Sequence, residues 1–416
     1  MKNKEQSPTL DAPFSLKTGT IIKNRLFKSA MSEQLGDRKH NPTPGLANLY
    51  RRWAQGGIGL MVSGNIMIDH TALGEPKNVV LDESSDISKF KNWTRAGTEN
   101  GAHLWAQLNH PGKQIPNFIC KEPVAPSAIP LTRGLEKGFN KPRALTEEEI
   151  NGIINKFATS ARLAKESGFT GVQIHGAHGY LVSQFLSPRH NQRRDQWGGS
   201  AENRMRFVLE VYHAIRREVG DDYPVGIKLN SADFMKGGFS EQESMEVVRK
   251  LGEEGIDLIE ISGGTYEAPA MVGHAPVTQK DTTRKREAYF LDYAESVRKT
   301  TDTPLVVTGG FRTARGMTDA LQSGACDFVG IARPVAVDPD MPANAMRNPA
   351  YEIKLRKLST GVKAIDKMAI LDITWYEFQL WRMADNKAPD PKMSEWVAFA
   401  RTLAAAGIHA FRKRRA

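Results

Sequence analysis

The sequence predicts an α/β protein: a closed (β/α)8 TIM barrel preceded by a hairpin and followed by a helical extension. Three observations carry the prediction. Eight short β-rich apolar runs recur along the chain, an amphipathic helical stretch follows each, and no long polar linker breaks the series. An open doubly wound sheet also alternates strand and helix, but the count of eight favours closure. The 416 residues leave room for one large barrel with additions.

The elements can be justified in order. Phe14–Ile22, with Lys17-Thr18-Gly19-Thr20 at its centre, reads as a hairpin covering the bottom of the barrel. The expected strands are Leu26–Met31, Ile58–Ser63, His103–Leu108, Val172–His175, Val225–Leu229, Leu258–Ser262, Leu305–Thr308 and Phe328–Ile331. All are apolar or nearly so, as parallel strands buried on both faces should be. Pro224 and Pro304 stand just before strands, where a missing amide is tolerated. Thr146-Glu-Glu-Glu149 is a capping box, followed by Ile150, Ile153, Ile154, Phe157 and Ala161 on one helix face and by Gly168 as a stop. Ser240-Glu-Gln-Glu243 repeats the device ahead of Met245, Val248 and Leu251. After Pro334 the pattern changes, and Ile373 to His409 reads as helical, with Trp375, Phe378, Leu380, Trp381, Trp396 and Phe399 supplying apolar surface. The expected division is a capped barrel over residues 1–340 and an extension over 341–416, packed on the barrel or on a neighbouring subunit.

Composition narrows the function classes. With 40% apolar and 25% charged residues the chain resembles an ordinary globular protein rather than a disordered or collagenous one. The N-terminal MKNKEQSPTLDAP lacks an apolar signal core, and no run approaches the roughly 18 apolar residues of a membrane span, so a cytoplasmic protein without a membrane partner is expected. Cys120 and Cys326 are too few for a disulfide scaffold or a cysteine-ligated iron–sulfur cluster. The net charge of +10 owes part of its excess to Arg412-Lys413-Arg414-Arg415. No basic stripe interleaved with aromatics exists, so no nucleic-acid partner is expected, and an anionic cofactor or substrate accounts equally well for the excess.

In such a barrel the chemistry lies at the C-terminal strand ends, with phosphate commonly held after strands seven and eight. Those loops are Thr308-Gly309-Gly310-Phe311-Arg312 and Gly330-Ile331-Ala332-Arg333-Pro334. A tight turn alone would explain Gly309 and Gly310, but two small-residue loops, each with an arginine, favour a phosphate. Neither a strand-following GxGxxG nor a P-loop occurs, which leaves a phosphorylated cofactor held by the barrel. Strand four ends in Gln173-Ile174-His175-Gly176-Ala177-His178-Gly179-Tyr180, placing two imidazoles and a phenol at the mouth. The histidines lack an evident third ligand for a metal, so no metal is assigned. They remain either structural or a pair of hydrogen-bond donors to a carbonyl or phenolate oxygen.

Asn24-Arg25-Leu26-Phe27-Lys28-Ser29-Ala30-Met31-Ser32, His175-Gly-Ala-His178-Gly-Tyr180-Leu181, and Ser187-Pro188 through Asn191 and Asp195 to Gly198-Gly199-Ser200-Ala-Glu202-Asn203-Arg204-Met-Arg206-Phe207 together resemble the Old Yellow Enzyme family of FMN-dependent ene-reductases. The resemblance runs from about Leu16 to Pro339. It implies FMN across the barrel mouth, with its phosphate at Gly309, Gly310, Ala332 and Arg333. Ala30, Met31 and Ser32 would lie beside the flavin, Gly64 near the ring edge, Gln107 on the pyrimidine, and Lys228 beside N1 and O2. It further implies that NADH or NADPH reduces the flavin and that an activated alkene, such as an α,β-unsaturated carbonyl compound, is then reduced in ping-pong fashion. His175 and His178 would bind the acceptor oxygen, Gln34 would sit in the substrate region, and Tyr180 would protonate the α-carbon. Ser32 stands where relatives have threonine or cysteine, Ala30 replaces a frequent proline, Lys228 a frequent arginine, and Trp197 a common tyrosine. A flavin reductase of the enoyl- or dienoyl-CoA type without an iron–sulfur cluster, and a metal-dependent barrel hydrolase, are the alternatives. A homo-oligomer is left open.

Overall fold

The computed structural model describes residues 8–268, 290–362, 365–366 and 371–406. The chain opens with an antiparallel hairpin, β1 (Phe14–Ser15) and β2 (Ile21–Ile22), in which Phe14 pairs with Ile22. Leu16 and Ile22 join Phe27, Leu60, Trp105, Val306 and Phe328 in one buried cluster, so the hairpin plugs the barrel interior from below, as expected. The strands that follow are β3 (Leu26–Lys28), β4 (Leu60–Met67), a short β5 (Val79–Val80), β6 (His103–Asn109), the loop pair β7 (Val124–Ala125) and β8 (Arg143–Ala144), β9 (Gly171–Gly176), β10 (Val225–Asn230), β11 (Leu258–Ser262), β12 (Leu305–Thr308) and β13 (Phe328–Ile331). Eight of them pair in parallel in the order β3-β13-β12-β11-β10-β9-β6-β4, and β3 pairs with β4 to close the barrel.

Two strands depart from expectation. β3 ends at Lys28 rather than Met31, because Ser29 through Ser32 turn into the barrel mouth. β4 starts later and runs to Met67, with a register shift between Val62 and Asn65.

Both capping boxes form as the sequence requires. Thr146 accepts from the Glu149 amide while the Glu149 carboxylate takes the Thr146 amide, opening the helix Glu147–Glu166, whose face Ile150, Ile153, Ile154, Phe157 and Ala161 is buried. Gly168 follows with φ of +89°, a left-handed turn that favours glycine. Ser240 caps Glu241–Glu254 in the same way. Thr146→Ala should cost about 1 kcal/mol of stability, read as a lower urea midpoint with an unchanged slope.

The helix Leu371–Ala384 returns to the barrel. Trp375, Phe378, Leu380 and Met383 enter the main core. Trp381 Nε1 donates to the Glu33 carbonyl at 2.8 Å and Asn48 Nδ2 to the Ala384 carbonyl at 3.1 Å. Trp396, expected as packing surface, is 48% exposed on the final helix, Glu395–Ala406. His409 and the basic run Arg412–Arg415 lie outside the described residues. Among the described residues no helix is long and apolar enough to cross a membrane.

Candidate active site

One cavity of about 1380 Å³, its open mouth included, occupies the C-terminal end of the barrel. It gathers residues from distant parts of the chain. Ala30, Met31 and Ser32 after β3, Gln107 on β6, His175 on β9 with His178 and Tyr180 after it, Lys228 on β10, Gly309 and Gly310 after β12, and Ala332 and Arg333 after β13 all line it. Gln34 and Gly64 do not. They border a smaller neighbouring pocket, where the Gly64 amide is taken by the Glu33 carboxylate and the Tyr50 hydroxyl, and Gln34 Nε2 donates to Glu377 Oε1 at 3.1 Å.

The two loops after β12 and β13 both face the cavity. Gly309 and Gly310 have φ of 106° and 101°, a region that side-chain-bearing residues avoid. Arg333 opens the short helix Arg333–Val337, and its guanidinium lies 6.0 Å from the centre of the Tyr376 ring. On the next wall Gln107 Nε2 donates to Gln173 Oε1 at 2.7 Å, and Lys228, 2% exposed, pairs with Glu260 at 3.1 Å.

His175, His178 and Tyr180 come together as a group. The His175 ring centre is 5.0 Å from that of His178 and 4.8 Å from that of Tyr180. His175 Nδ1 accepts the Ala177 amide at 3.3 Å, so the neutral ring carries its proton on Nε2. Burial, reinforced by the Lys228 charge, pushes the His175 pKa well below the ordinary histidine value. His178 has φ of 63°, its amide donates to Asn230 Oδ1 at 3.1 Å, and Nε2 lies 2.8 Å from Ser262 Oγ. The Tyr180 hydroxyl lies 3.0 Å from that of Tyr266 and accepts from Asn65 Nδ2 at 3.5 Å. The loop bearing it is tied to the end of β6, since the Leu181 amide donates to the His110 carbonyl at 3.0 Å.

Several lining residues escaped the sequence reading. Asn65 lies one step beyond Gly64, Ser262 closes the expected strand Leu258–Ser262 without having been given a role, and Glu75 accepts the Ser32 hydroxyl, so that hydroxyl is already engaged. Asp372, Ile373, Tyr376, Glu377 and Leu380 come from the helix Leu371–Ala384, which walls the cavity with a segment of the same chain. Asn65, which lines the cavity, has its Oδ1 buried without a hydrogen-bond partner among the described residues, an acceptor that a ligand N–H could satisfy. Together with paired small-residue loops, two arginines, a buried ammonium and a glutamine, the donor set fits a planar heterocycle bearing a phosphate.

The family described as NADH:flavin oxidoreductase / NADH oxidase matches residues 9–351. The chain belongs to it. The NADH-dependent flavin oxidoreductase iliE of Hypocrea jecorina (strain QM6a) is 39% identical over 364 residues, covering 82% of this chain and 89% of the relative. Among solved structures, a 2-naphthoyl-CoA reductase in complex with 2-naphthoyl-CoA superposes with a TM-score of 0.74 at 28% identity. The match covers 82% of this chain but only 52% of that one. The old yellow enzyme homologue from Zymomonas mobilis superposes with a TM-score of 0.70 at 26% identity, covering 83% and 94%. As an NADH:flavin oxidoreductase, the enzyme uses FMN with NAD(P)H as reductant, and the metal-dependent hydrolase alternative falls away. Among the described residues no group of three His, Cys, Asp or Glu side chains is placed to hold a metal ion.

Proposed function

We propose that this NADH:flavin oxidoreductase is an ene-reductase for alkenes conjugated to a carbonyl or similar electron-withdrawing group. The observation that carries the reading is the meeting of His175, His178 and Tyr180 in the cavity that also holds the flavin-compatible donors. Gly309, Gly310, Ala332 and Arg333 would hold the FMN phosphate, Ala30, Met31 and Ser32 would flank the ring, and Gln107 and Lys228 would meet its pyrimidine edge. Bound there, FMN would supply the redox chemistry, which is hydride transfer from NAD(P)H to the alkene β-carbon in two half-reactions. Neutral His175 donates through Nε2 to the acceptor oxygen and draws density from the double bond without protonating it. His178, steadied by Asn230 and Ser262, is the second group at that oxygen. Tyr180 holds the proton destined for the α-carbon. Ile373, Tyr376 and Leu380 exclude water from one side of the cavity.

NADH with 2-cyclohexenone or N-ethylmaleimide, followed by product analysis, tests the reading. Saturated products are expected, and NADH oxidation with quinones or oxygen but no alkene reduced would refute it. A thioester in place of the ketone is a second reading, favoured by the likeness to the naphthoyl-CoA reductase, and an enoyl-CoA in the same assay decides it.

Lys228 bears on the cofactor directly. Lys228→Met removes a buried cation and leaves Glu260 uncompensated, so the potential of bound FMN should fall. A loss of ~1.4 kcal/mol corresponds to about 30 mV for a two-electron couple, and a fall of at least that size is expected by dye-equilibration titration.

A further inference from the structure

Glu260 has no part in the chemistry above, yet it sits under the site. It is fully buried on β11, flanked by Leu258, Ile259 and Ile261. Lys228 Nζ meets its Oε1 at 3.1 Å and Thr308 Oγ1 donates to the same oxygen at 2.7 Å, while Gln173 Nε2 donates to Oε2 at 2.9 Å. Two arms continue outward. Gln173 Oε1 accepts from Gln107 Nε2 at 2.7 Å, and Ser29 Oγ lies 2.8 Å from Thr308 Oγ1. Ser29, Gln107, Lys228 and Thr308 all line the cavity.

A carboxylate paired with an ammonium can only accept hydrogen bonds, and this fixes the direction of both arms. Gln173 must turn its NH₂ to Glu260, so its oxygen faces Gln107. Gln107 must answer with its own NH₂, which leaves Gln107 Oε1 as the end available to a ligand. In the same way the Thr308 hydroxyl proton goes to Glu260, so Ser29 donates to Thr308 and turns lone pairs elsewhere.

We propose that Glu260 is a positioning residue that sets the donor and acceptor pattern of the cavity floor and tempers the charge of Lys228 toward the FMN pyrimidine. The inference rests on the reading that FMN binds in this cavity. A flavin pyrimidine edge offers one N–H, at N3, between two carbonyl oxygens, so it needs an acceptor at N3 and donors beside it. Gln107 Oε1 is that acceptor and Lys228 one of the donors. A glutamine at 260 could donate as well as accept, so both amides would be free to turn over and Lys228 would lose its counter-charge.

The test compares FMN-loaded wild type, Glu260→Gln, Lys228→Met and the double variant. The Glu260→Gln potential should shift positive, and the shift should shrink to less than half in the Lys228→Met background, since the effect acts through that lysine. In apoprotein reconstituted with ¹⁵N-labelled FMN, the N3 proton should exchange with solvent about tenfold faster in Glu260→Gln, as expected for a lost or weakened hydrogen bond. A purely structural role would lower stability and move neither quantity. Folded, FMN-loaded Glu260→Gln with an unchanged potential and unchanged N3 exchange overturns the inference alone, whereas wild type that binds no FMN overturns the functional reading with it. Should Glu260→Gln not accumulate as folded protein, Gln173→Met severs the amide arm by itself. Faster N3 exchange there supports the proposal, and unchanged exchange refutes it.

Discussion

Tyr180→Phe should slow reoxidation of the reduced enzyme by an enone roughly 10²–10⁴-fold, the range of a lost general acid, while flavin reduction by NADH stays near wild type. The substitution removes one hydroxyl and keeps the ring that packs edge-on against His175 at 4.8 Å, so the shape of the cavity is preserved. What is lost is the phenol beside Tyr266 and Asn65. A quinone is the control, because its electrons end on oxygen and no carbon needs a proton. Stopped-flow traces with both acceptors separate the possibilities. Equal slowing of enone and quinone would mean disturbed packing, and no slowing of either would remove Tyr180 from the mechanism.

The second large effect concerns stability in acid. His110 is fully buried, its Nδ1 accepts the Gly112 amide at 3.0 Å, and burial pushes its pKa from 6.5 down to about 4. Between those two values the unfolded chain binds a proton that the folded chain does not. The stability contributed by neutral His110 is therefore fully present above pH 6.5 and is lost as the pH falls toward 4. The span is worth ~3 kcal/mol. His110→Gln lacks this titration, so its stability relative to wild type should rise by about that amount between pH 7.5 and pH 4. Urea unfolding at a series of pH values measures the difference. A gap that stays constant with pH would show that His110 titrates alike in both states.

Much of the fold could be read from the sequence because a strand buried on both faces admits few polar residues, and six of the eight strands fall within a residue or so of the apolar runs. The exceptions have physical causes. Ser29–Ser32 leave the sheet because they turn into the mouth, and the shift at Val62 to Asn65 lengthens β4. The residues that meet in the cavity were legible where they sit at or just after the end of a strand, as His175, His178, Tyr180, Gly309, Gly310, Ala332 and Arg333 do. Gln34 and Gly64 line the neighbouring pocket instead, and their partners, Glu377 and the Glu33–Tyr50 pair, are visible only once the chain is folded. Two charged residues inside apolar runs, Lys28 and Glu260, signal buried ion pairs in retrospect. Lys28 Nζ lies 3.4 Å from Glu33 and over the rings of Tyr50 and Trp53, and nothing local in the sequence names those partners.

The helix Leu371–Ala384 gives assembly of the site an order in time. A nascent chain emerges N-terminus first, so every barrel strand, through Ile331, is synthesised before the residues that supply the outer wall of the cavity. While the chain is still being made, the loops after β12 and β13 and the floor of the cavity can already stand in place without this wall. The wall arrives after them and docks through Trp381 and Asn48, so the site is completed only when the C-terminal part of the chain has been made.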